Sequence, residues 1–314
     1  MKKYLLPNRG AFYKANLNCH STASNGSKTP EELKKMYQEK GYSAIAYTDT
    51  EVLFAGNLSC EKDFVALRGT ELEFTEKSGR FADARSCHLS VIAPTNCGNL
   101  ELPPDRTYNA ECINKIIVCA KEQGGFVTYN HPTWSQEYYS DYICYEGLNA
   151  IEIFNGNSDT LGYEEYNPRV YDDFLAAGKK MLCIGTDGNR NMEAADSAYW
   201  DSFRAWTQIK AEELEYDNII NALKKGDFYS SEGPEIYELW FEDGQIHIAC
   251  SDADMVFCSY GTRRNGRCLS EVGRPVTEAV FTIEPNDRYF RITVVDANGK
   301  RACTNAYFTE DLFN

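Results

Sequence analysis

The stretch Asn16-Leu17-Asn18-Cys19-His20-Ser21-Thr22-Ala23-Ser24-Asn25-Gly26 places a histidine where a β-like run gives way to small polar residues, the composition of a strand turning into a loop. The residues that follow complete a unit. Thr29 as N-cap, Pro30 at the first helical position and Glu32 three residues past the cap form a capping-box signature, and Gly41 closes the helix. A second strand-like run, Ser43 to Thr48, comes next, with Asp49 at its end. Strand, loop, helix, strand is the opening of a parallel α/β sheet or barrel.

Outward from this unit the alternation continues. Strand-like runs fall at Phe64 to Arg68, His88 to Ala93, Phe126 to Tyr129, Ala150 to Phe154, Met181 to Gly185 and Phe203 to Lys210; helical runs fall at Ala110 to Gln123, Asn167 to Ala177 and Glu212 to Lys225. After Gly233-Pro234 the helices disappear. There Ile246, Ile248 and Cys250 alternate with Gln245, His247 and Ala249, and Asp243-Gly244 and Asn298-Gly299 are hairpin-turn dipeptides. The pattern predicts an α/β domain over residues 1–234 and a small β-sandwich-like, all-β appendage over residues 235–314.

With 314 residues and 43% hydrophobic content the chain can bury a full core. A net charge of −15 opposes binding to nucleic acid or anionic lipid, because a polyanion meets a repulsive field. A small phosphorylated substrate stays admissible where arginines or metals make a pocket locally positive. The 12 cysteines are dispersed without a C-x-x-C pair, which suits reduced thiols better than a disulfide scaffold. Pro7, Asn8 and Arg9 interrupt the apolar run near the start before it reaches the length of a signal segment, and no stretch has the length of a membrane-spanning helix. The expectation is a cytoplasmic protein with neither a membrane nor a nucleic-acid partner; the oligomeric state is left open.

Only 4 histidines occur. His20, His88 and His131 lie in short segments that look like junctions of strand and loop, whereas His247 falls on the polar side of its run and reads as an ordinary surface residue. With Glu71 and Asp187 they form a His/Glu/Asp set of the kind that a metal-dependent hydrolase gathers at one end of a sheet or barrel. All but His88, which begins its run, sit at the C-terminal end of a strand-like segment. Simpler roles stand beside these: a hydrogen-bonded loop histidine for His20, a turn cap for Asp187, a residue orienting a neighbour for Asp49, and core packing for Cys19 and Cys87.

The ordered motifs resemble those of the PHP family, the domain shared by bacterial DNA polymerases and histidinol phosphatases. His20-Ser-Thr-Ala-Ser-Asn25-Gly26, Thr29-Pro30-Glu31-Glu32-Leu33 and Ala44-Ile-Ala-Tyr-Thr48-Asp49-Thr50 are similar to its opening block. Gly69-x-Glu71, His88, Asn130-His131-Pro132, Ile151-Glu152-Ile153-Phe154-Asn155, Gly185-Thr186-Asp187-x-Asn189 and Ala222 to Ser230 follow in the family's order, so that the likeness spans about two-thirds of the chain. The resemblance implies a distorted seven-stranded β/α barrel holding two or three metal ions that hydrolyse phosphoesters.

Carried over residue by residue, it implies one metal site at Glu71, His88 and His131, and part of a second at His20, Glu71 and Asp187. Asn18 stands where that second site's other histidine belongs, and Asn25, Thr50 and Asn189 occupy the positions of a third site, where amide and hydroxyl oxygens are poorer ligands. The implied cofactor is a divalent metal, zinc, iron or manganese, at one or two per chain. His20 and Asp187 are the candidate catalytic groups. Arg190 and Arg204 are the candidate anion clamps, with Arg68 and Lys210 behind them. The implied function is a phosphoesterase with a reduced metal site acting on a small phosphorylated substrate. Two alternatives remain open: a catalytically degenerate barrel that binds a ligand, and a metallohydrolase of carboxylic esters or carbamates.

Overall fold

In the computed structural model, which describes residues 2–55, 62–77, 82–95 and 100–313, the opening unit forms as its sequence dictates. Strand β1 (Lys3–Tyr4) and β2 (Ala11–Cys19) are followed by helix α1 (Pro30–Glu39) and β3 (Ala44–Tyr47). The Thr29 hydroxyl accepts from the Glu32 N–H at 3.2 Å while the Glu32 carboxylate accepts from the Thr29 N–H at 2.8 Å. Two N–H groups that a helix start leaves bare are thereby satisfied. Beyond the last turn Gly41 takes φ +75° and donates to the Gln38 carbonyl at 2.9 Å, a left-handed exit that glycine makes without a Cβ penalty. Leu33 and Tyr37 of α1 bury themselves with Cys19, Ile45, Tyr47 and Phe64.

Next comes a hairpin longer than the expected runs. Strands β4 (Val65–Lys77) and β5 (Ala82–Ile92) pair antiparallel, with Glu71 opposite Ser90 and Glu73 opposite His88. His88 therefore sits inside β5 and does not begin a run. The missed signal is the period-two alternation of buried Leu72 and Phe74 about exposed Glu73. Helix α2 (Ala110–Glu122) leads to β6 (Phe126–Tyr129), two short helices α3 (Pro132–Ser135) and α4 (Tyr139–Tyr142), β7 (Ala150–Asn155), a short α5 (Gly156–Thr160), α6 (Pro168–Ala176) and β8 (Leu182–Thr186). Strand β9 (Trp206–Ala211), helix α7 (Tyr216–Lys225) and β10 (Phe228–Ser231) complete this part. Ile219, Ile220 and Leu223 of α7 are buried against the sheet, and each such side chain contributes about 1.5–3 kcal/mol.

The sheet runs in the order β9-β2-β3-β4-β5-β6-β7-β8, parallel at β2/β3, β3/β4, β6/β7 and β7/β8 and antiparallel on both sides of β5. The closed seven-stranded barrel implied by the motifs is not formed: among the described residues no ladder joins β8 to β9. Side chains take the groups such a ladder would use. The Thr207 hydroxyl accepts from the Gly185 N–H at 3.1 Å and donates to the Gly185 carbonyl at 2.9 Å, and the Ser230 hydroxyl donates to the Cys183 carbonyl at 2.8 Å. Past the end of β8 the backbone reaches β2 directly, through Gly188 N–H to the Asn18 carbonyl at 3.0 Å and His20 N–H to the Asn189 carbonyl at 3.1 Å. The result is a mixed, sheet-rich α/β fold.

The remaining strands are β11 (Ile236–Glu242), β12 (Gln245–Ala253), β13 (Met255–Ser259), β14 (Asn265–Leu269), β15 (Val276–Thr282), β16 (Tyr289–Val295), β17 (Arg301–Thr304) and β18 (Tyr307–Phe308). Asp243 and Gly244, at φ +50° and +78°, make the tight turn between β11 and β12. Ile246, Ile248 and Cys250 point into the second core, while His247 stacks on Trp240 with centroids 4.9 Å apart. Strands β1, β11, β12 and β15 form one sheet; β14, β13, β16 and β17 continue the large sheet beyond β10. The described cysteines are all free, and among the described residues no helix is long and apolar enough to cross a membrane.

Candidate metal centre

Strand β4 delivers Glu71 to the centre of the molecule, where its side chain is completely buried. Three histidines converge on it. His88 Nδ1 lies 3.3 Å from Oε2, His20 Nε2 lies 3.5 Å from Oε2, and His131 Nε2 lies 3.6 Å from Oε1. These contacts are longer than good hydrogen bonds, and Glu71 Oε2 and both ring nitrogens of His88 have no hydrogen-bond partner. Buried polar atoms are rarely left so. Ligand atoms bound tetrahedrally at zinc-like distances would stand about 3.4 Å apart, the spacing seen here. Glu71, His88 and His131 each bring one donor atom within 4.8 Å of the others, so their chemistry and spacing fit a divalent cation.

His131 holds its place under strain. It adopts φ +28°, ψ 62° at the start of α3, and its N–H donates to Glu152 Oε2 at 2.7 Å. Trp134 packs edge-on against it at 4.8 Å between centroids, and against His88 at 5.1 Å. Glu152 is itself fully buried and also accepts from Asn18 Nδ2, Asn155 Nδ2 and the Thr186 hydroxyl at 2.7–2.8 Å. Sequence reasoning gave Glu152 no role. Its signal was a lone charge in the apolar run Ala150-Ile-Glu-Ile-Phe154. Gly188, at φ +60°, passes so close to Asn155 that a Cβ there would lie 2.6 Å from Nδ2.

The substituted positions have become a neutral hydrogen-bond network. Asn18 turns its Nδ2 toward Glu152 at 2.8 Å and Glu71 at 3.5 Å, while its oxygen accepts from Thr48 at 2.9 Å, so the amide oxygen is not offered to the cluster. Asn25 donates to the Thr50 hydroxyl at 3.2 Å, and Asn189 Oδ1 accepts from Asn16 at 2.9 Å. Asp49 holds the strand-end loop by accepting from the Ser21 N–H and the hydroxyls of Ser21 and Ser24 at 2.7–2.8 Å.

Asp187 is not brought into the cluster. Its carboxylate accepts from Tyr37 OH at 2.6 Å and from the N–H groups of Phe203, Arg204 and Ala205 at 2.8–3.1 Å, which organises the turn before β9. The same bonds explain why β9 starts at Trp206 and not at Phe203. Nor is Arg204 a free clamp: its guanidinium is 2.8 Å from the Asp159 carboxylate and 2.6 Å from the Trp200 carbonyl. Arg68 donates to the Phe54 carbonyl at 2.9 Å, and Lys210 lies over the Phe12 ring. Arg190 alone of the expected cations reaches the site, with Nη2 3.9 Å from Glu71 Oε2.

The His20 pKa is pushed down to about 4, chiefly by burial with Arg190 and His88 adding to it, against the opposing pull of Glu71 and Asp49. Burial would raise the Glu71 carboxyl, but His88 and His20 hold it well below its ordinary value. Asp187 is raised to about 6 by burial, against the bonds from Tyr37 and the 203–205 backbone. The centre is thus a buried carboxylate ringed by imidazoles beside one guanidinium.

A buried carboxylate with two or three imidazoles is the donor set of a divalent-metal protein. No protein-family model and no curated protein matches the chain. Solved structures similar to it include a two-domain protein containing a predicted PHP-like metal-dependent phosphoesterase from Bacteroides vulgatus ATCC 8482, at 16% identity over 98% of this chain and 97% of that one, TM-score 0.48. Others are a candidate metal-dependent phosphoesterase from Bifidobacterium adolescentis ATCC 15703, at 15% identity over 61% and 91%, TM-score 0.40, and an amidohydrolase from Chromobacterium violaceum with bound sulfate and no metal, at 12% over 55% and 86%, TM-score 0.38.

Proposed function

We propose that this protein is a metal-dependent hydrolase acting on a small phosphorylated substrate, with one divalent ion held by Glu71, His88 and His131. The observation that carries the reading is the buried, unpartnered pair Glu71 Oε2 and His88 Nδ1, 3.3 Å apart, with one donor atom each from Glu71, His88 and His131 within 4.8 Å of one another. When bound, such an ion lowers the pKa of a coordinated water and polarises the bond to be cleaved. Glu71 supplies the anionic donor that the ion requires. His131 is fixed in one orientation by Glu152 and Trp134. His20, whose Nε2 is 3.5 Å from the same carboxylate, completes the donor set or carries a proton at Nδ1, which lies 3.5 Å from the Thr50 hydroxyl. Arg190 is the clamp for the substrate's anionic oxygens.

Elemental analysis of chelator-free protein tests this. One zinc, iron or manganese per chain, lost together with hydrolysis of phosphoesters in Glu71→Ala and His131→Ala, is the expected result; full metal content in either variant overturns the assignment. A second reading, a barrel relative retired from catalysis that binds a ligand, is favoured by the saturated hydrogen bonding of Asn18, Asn189 and Asp187. It would be upheld by protein that stays metal-free after incubation with each ion.

A further inference from the structure

A cleft of about 450 Å³ adjoins the histidine cluster, lined by Trp134, Leu161, Arg190, Met192, Tyr199 and Asp201 among others. It shares two of these with the centre: Trp134 packs against both His88 and His131, and Arg190 reaches Glu71. Its rim is apolar. Leu161, Met192 and Tyr199 are 54%, 70% and 64% exposed, a concentration of large uncovered side chains of the sort that marks a binding groove. A larger cavity of about 690 Å³ lies elsewhere, between Arg85 and Arg106, but both guanidinium groups there are paired, with Glu76 and Asp141 and with Glu51.

The charge of the cleft limits what can sit in it. Among its described lining residues Arg190 is the one cation, and Asp201 and Glu193 stand in the same wall. Asp201 is buried and its carboxyl group accepts from the Arg190 N–H at 2.7 Å and the Asn191 N–H at 3.1 Å, which holds it in place beside the entry. A phosphomonoester dianion would bring one more negative charge against these two carboxylates than a diester monoanion does, whatever cation the centre holds. A diester also carries a second organic group, for which the apolar rim provides contact area.

We propose that the cleft takes a phosphodiester monoanion, its phosphoryl oxygens on Arg190 and an apolar or aromatic ester group against Trp134, Leu161, Met192 and Tyr199. The proposal rests on the hydrolase reading for what happens next. Hydrolysis consumes one water: its oxygen bonds to phosphorus, the P–O bond to the ester group breaks, and the departing oxygen takes up a proton to leave as an alcohol.

Isothermal titration of the metal-loaded full chain with diphenyl phosphate and with phenyl phosphate separates the binding claim from turnover. Diphenyl phosphate is expected to bind at least tenfold more tightly, and Leu161→Asp, at an exposed position, is expected to weaken it about tenfold without changing metal content. Equal or tighter binding of phenyl phosphate, or Leu161→Asp with unchanged affinity, overturns the proposal. Bis(p-nitrophenyl) phosphate then reports on the hydrolase reading alone: tight diphenyl phosphate binding with no release of p-nitrophenol upholds the cleft and rejects the hydrolase.

Discussion

Glu152 Oε2 accepts the backbone N–H of His131 at 2.7 Å, and this bond anchors a histidine whose backbone lies in a region that side chains seldom adopt. Strain of that kind persists only where the surroundings overdetermine it. Here the determinants are one buried carboxylate with four donors and the Trp134 ring, so the direction of the His131 imidazole depends on a residue that never faces the cleft.

Glu152→Gln should therefore weaken metal binding about 10–100-fold, the usual effect of losing a group that orients a ligand. Replacing one carboxylate oxygen by an amide NH2 also removes the acceptor of two of the four bonds. An accompanying fall of about 2–3 kcal/mol in unfolding free energy is expected. Chelator competition and urea denaturation measure the two effects separately; a well-folded variant with wild-type metal affinity would remove Glu152 from the account.

Two imidazoles and a carboxylate select zinc or iron over magnesium and calcium, which favour all-oxygen shells. Zinc at a hundred times its dissociation constant should stabilise the fold by about 2.7 kcal/mol, a rise of several degrees in melting temperature. Magnesium should give no rise, and His131→Ala should abolish the zinc effect. A magnesium response equal to that of zinc would mean a different donor set.

Asp187 offers the sharpest contrast between motif and geometry. The motif makes it a ligand, yet its oxygens are occupied by Tyr37 and the 203–205 backbone. Asp187→Asn should keep full metal content while losing about 1–3 kcal/mol of stability, because an amide cannot accept from all four donors. Loss of metal with unchanged stability would restore the ligand role.

Local rules made the first unit legible: the Thr29 cap, Pro30 and Gly41 each act through neighbours a few residues away, and all three form as read. The cluster of Glu71, His88 and His131 was legible from motif order. What the sequence concealed depends on tertiary hydrogen bonds. Thr207 and Ser230 intercept the backbone groups of β8 that a closed barrel would use, and nothing local to either residue announces that. Arg204 and Arg190 look alike in sequence; only the approach of Asp159 and the Trp200 carbonyl takes Arg204 out of the site. The β4–β5 hairpin was readable from the alternation at Leu72 and Phe74, and was hidden by the charged residues on its exposed side.

The last prediction concerns pH and lies away from the metal. Glu232 follows β10, is 6% exposed, and neither of its carboxylate oxygens has a hydrogen-bond partner. Burial, reinforced by the facing Glu165 carboxylate, pushes its pKa up to about 8 despite Lys300 and Arg301 nearby. In the unfolded chain the same group titrates near its ordinary value of 4.5. The folded state thus binds the proton more tightly, and its advantage is complete below the unfolded pKa and disappears as pH rises through the folded one. Stability should fall by an amount on the order of a few kcal/mol from about pH 5 to pH 8 through this group. Glu232→Gln, neutral throughout, should flatten that slope and unfold at higher urea concentration than the parent at pH 8.5. Urea midpoints at pH 5.5, 7 and 8.5 decide the matter, since a parent protein whose stability is level or increases over that range, with Glu232→Gln following the same curve, would show that Glu232 is ionised in the fold.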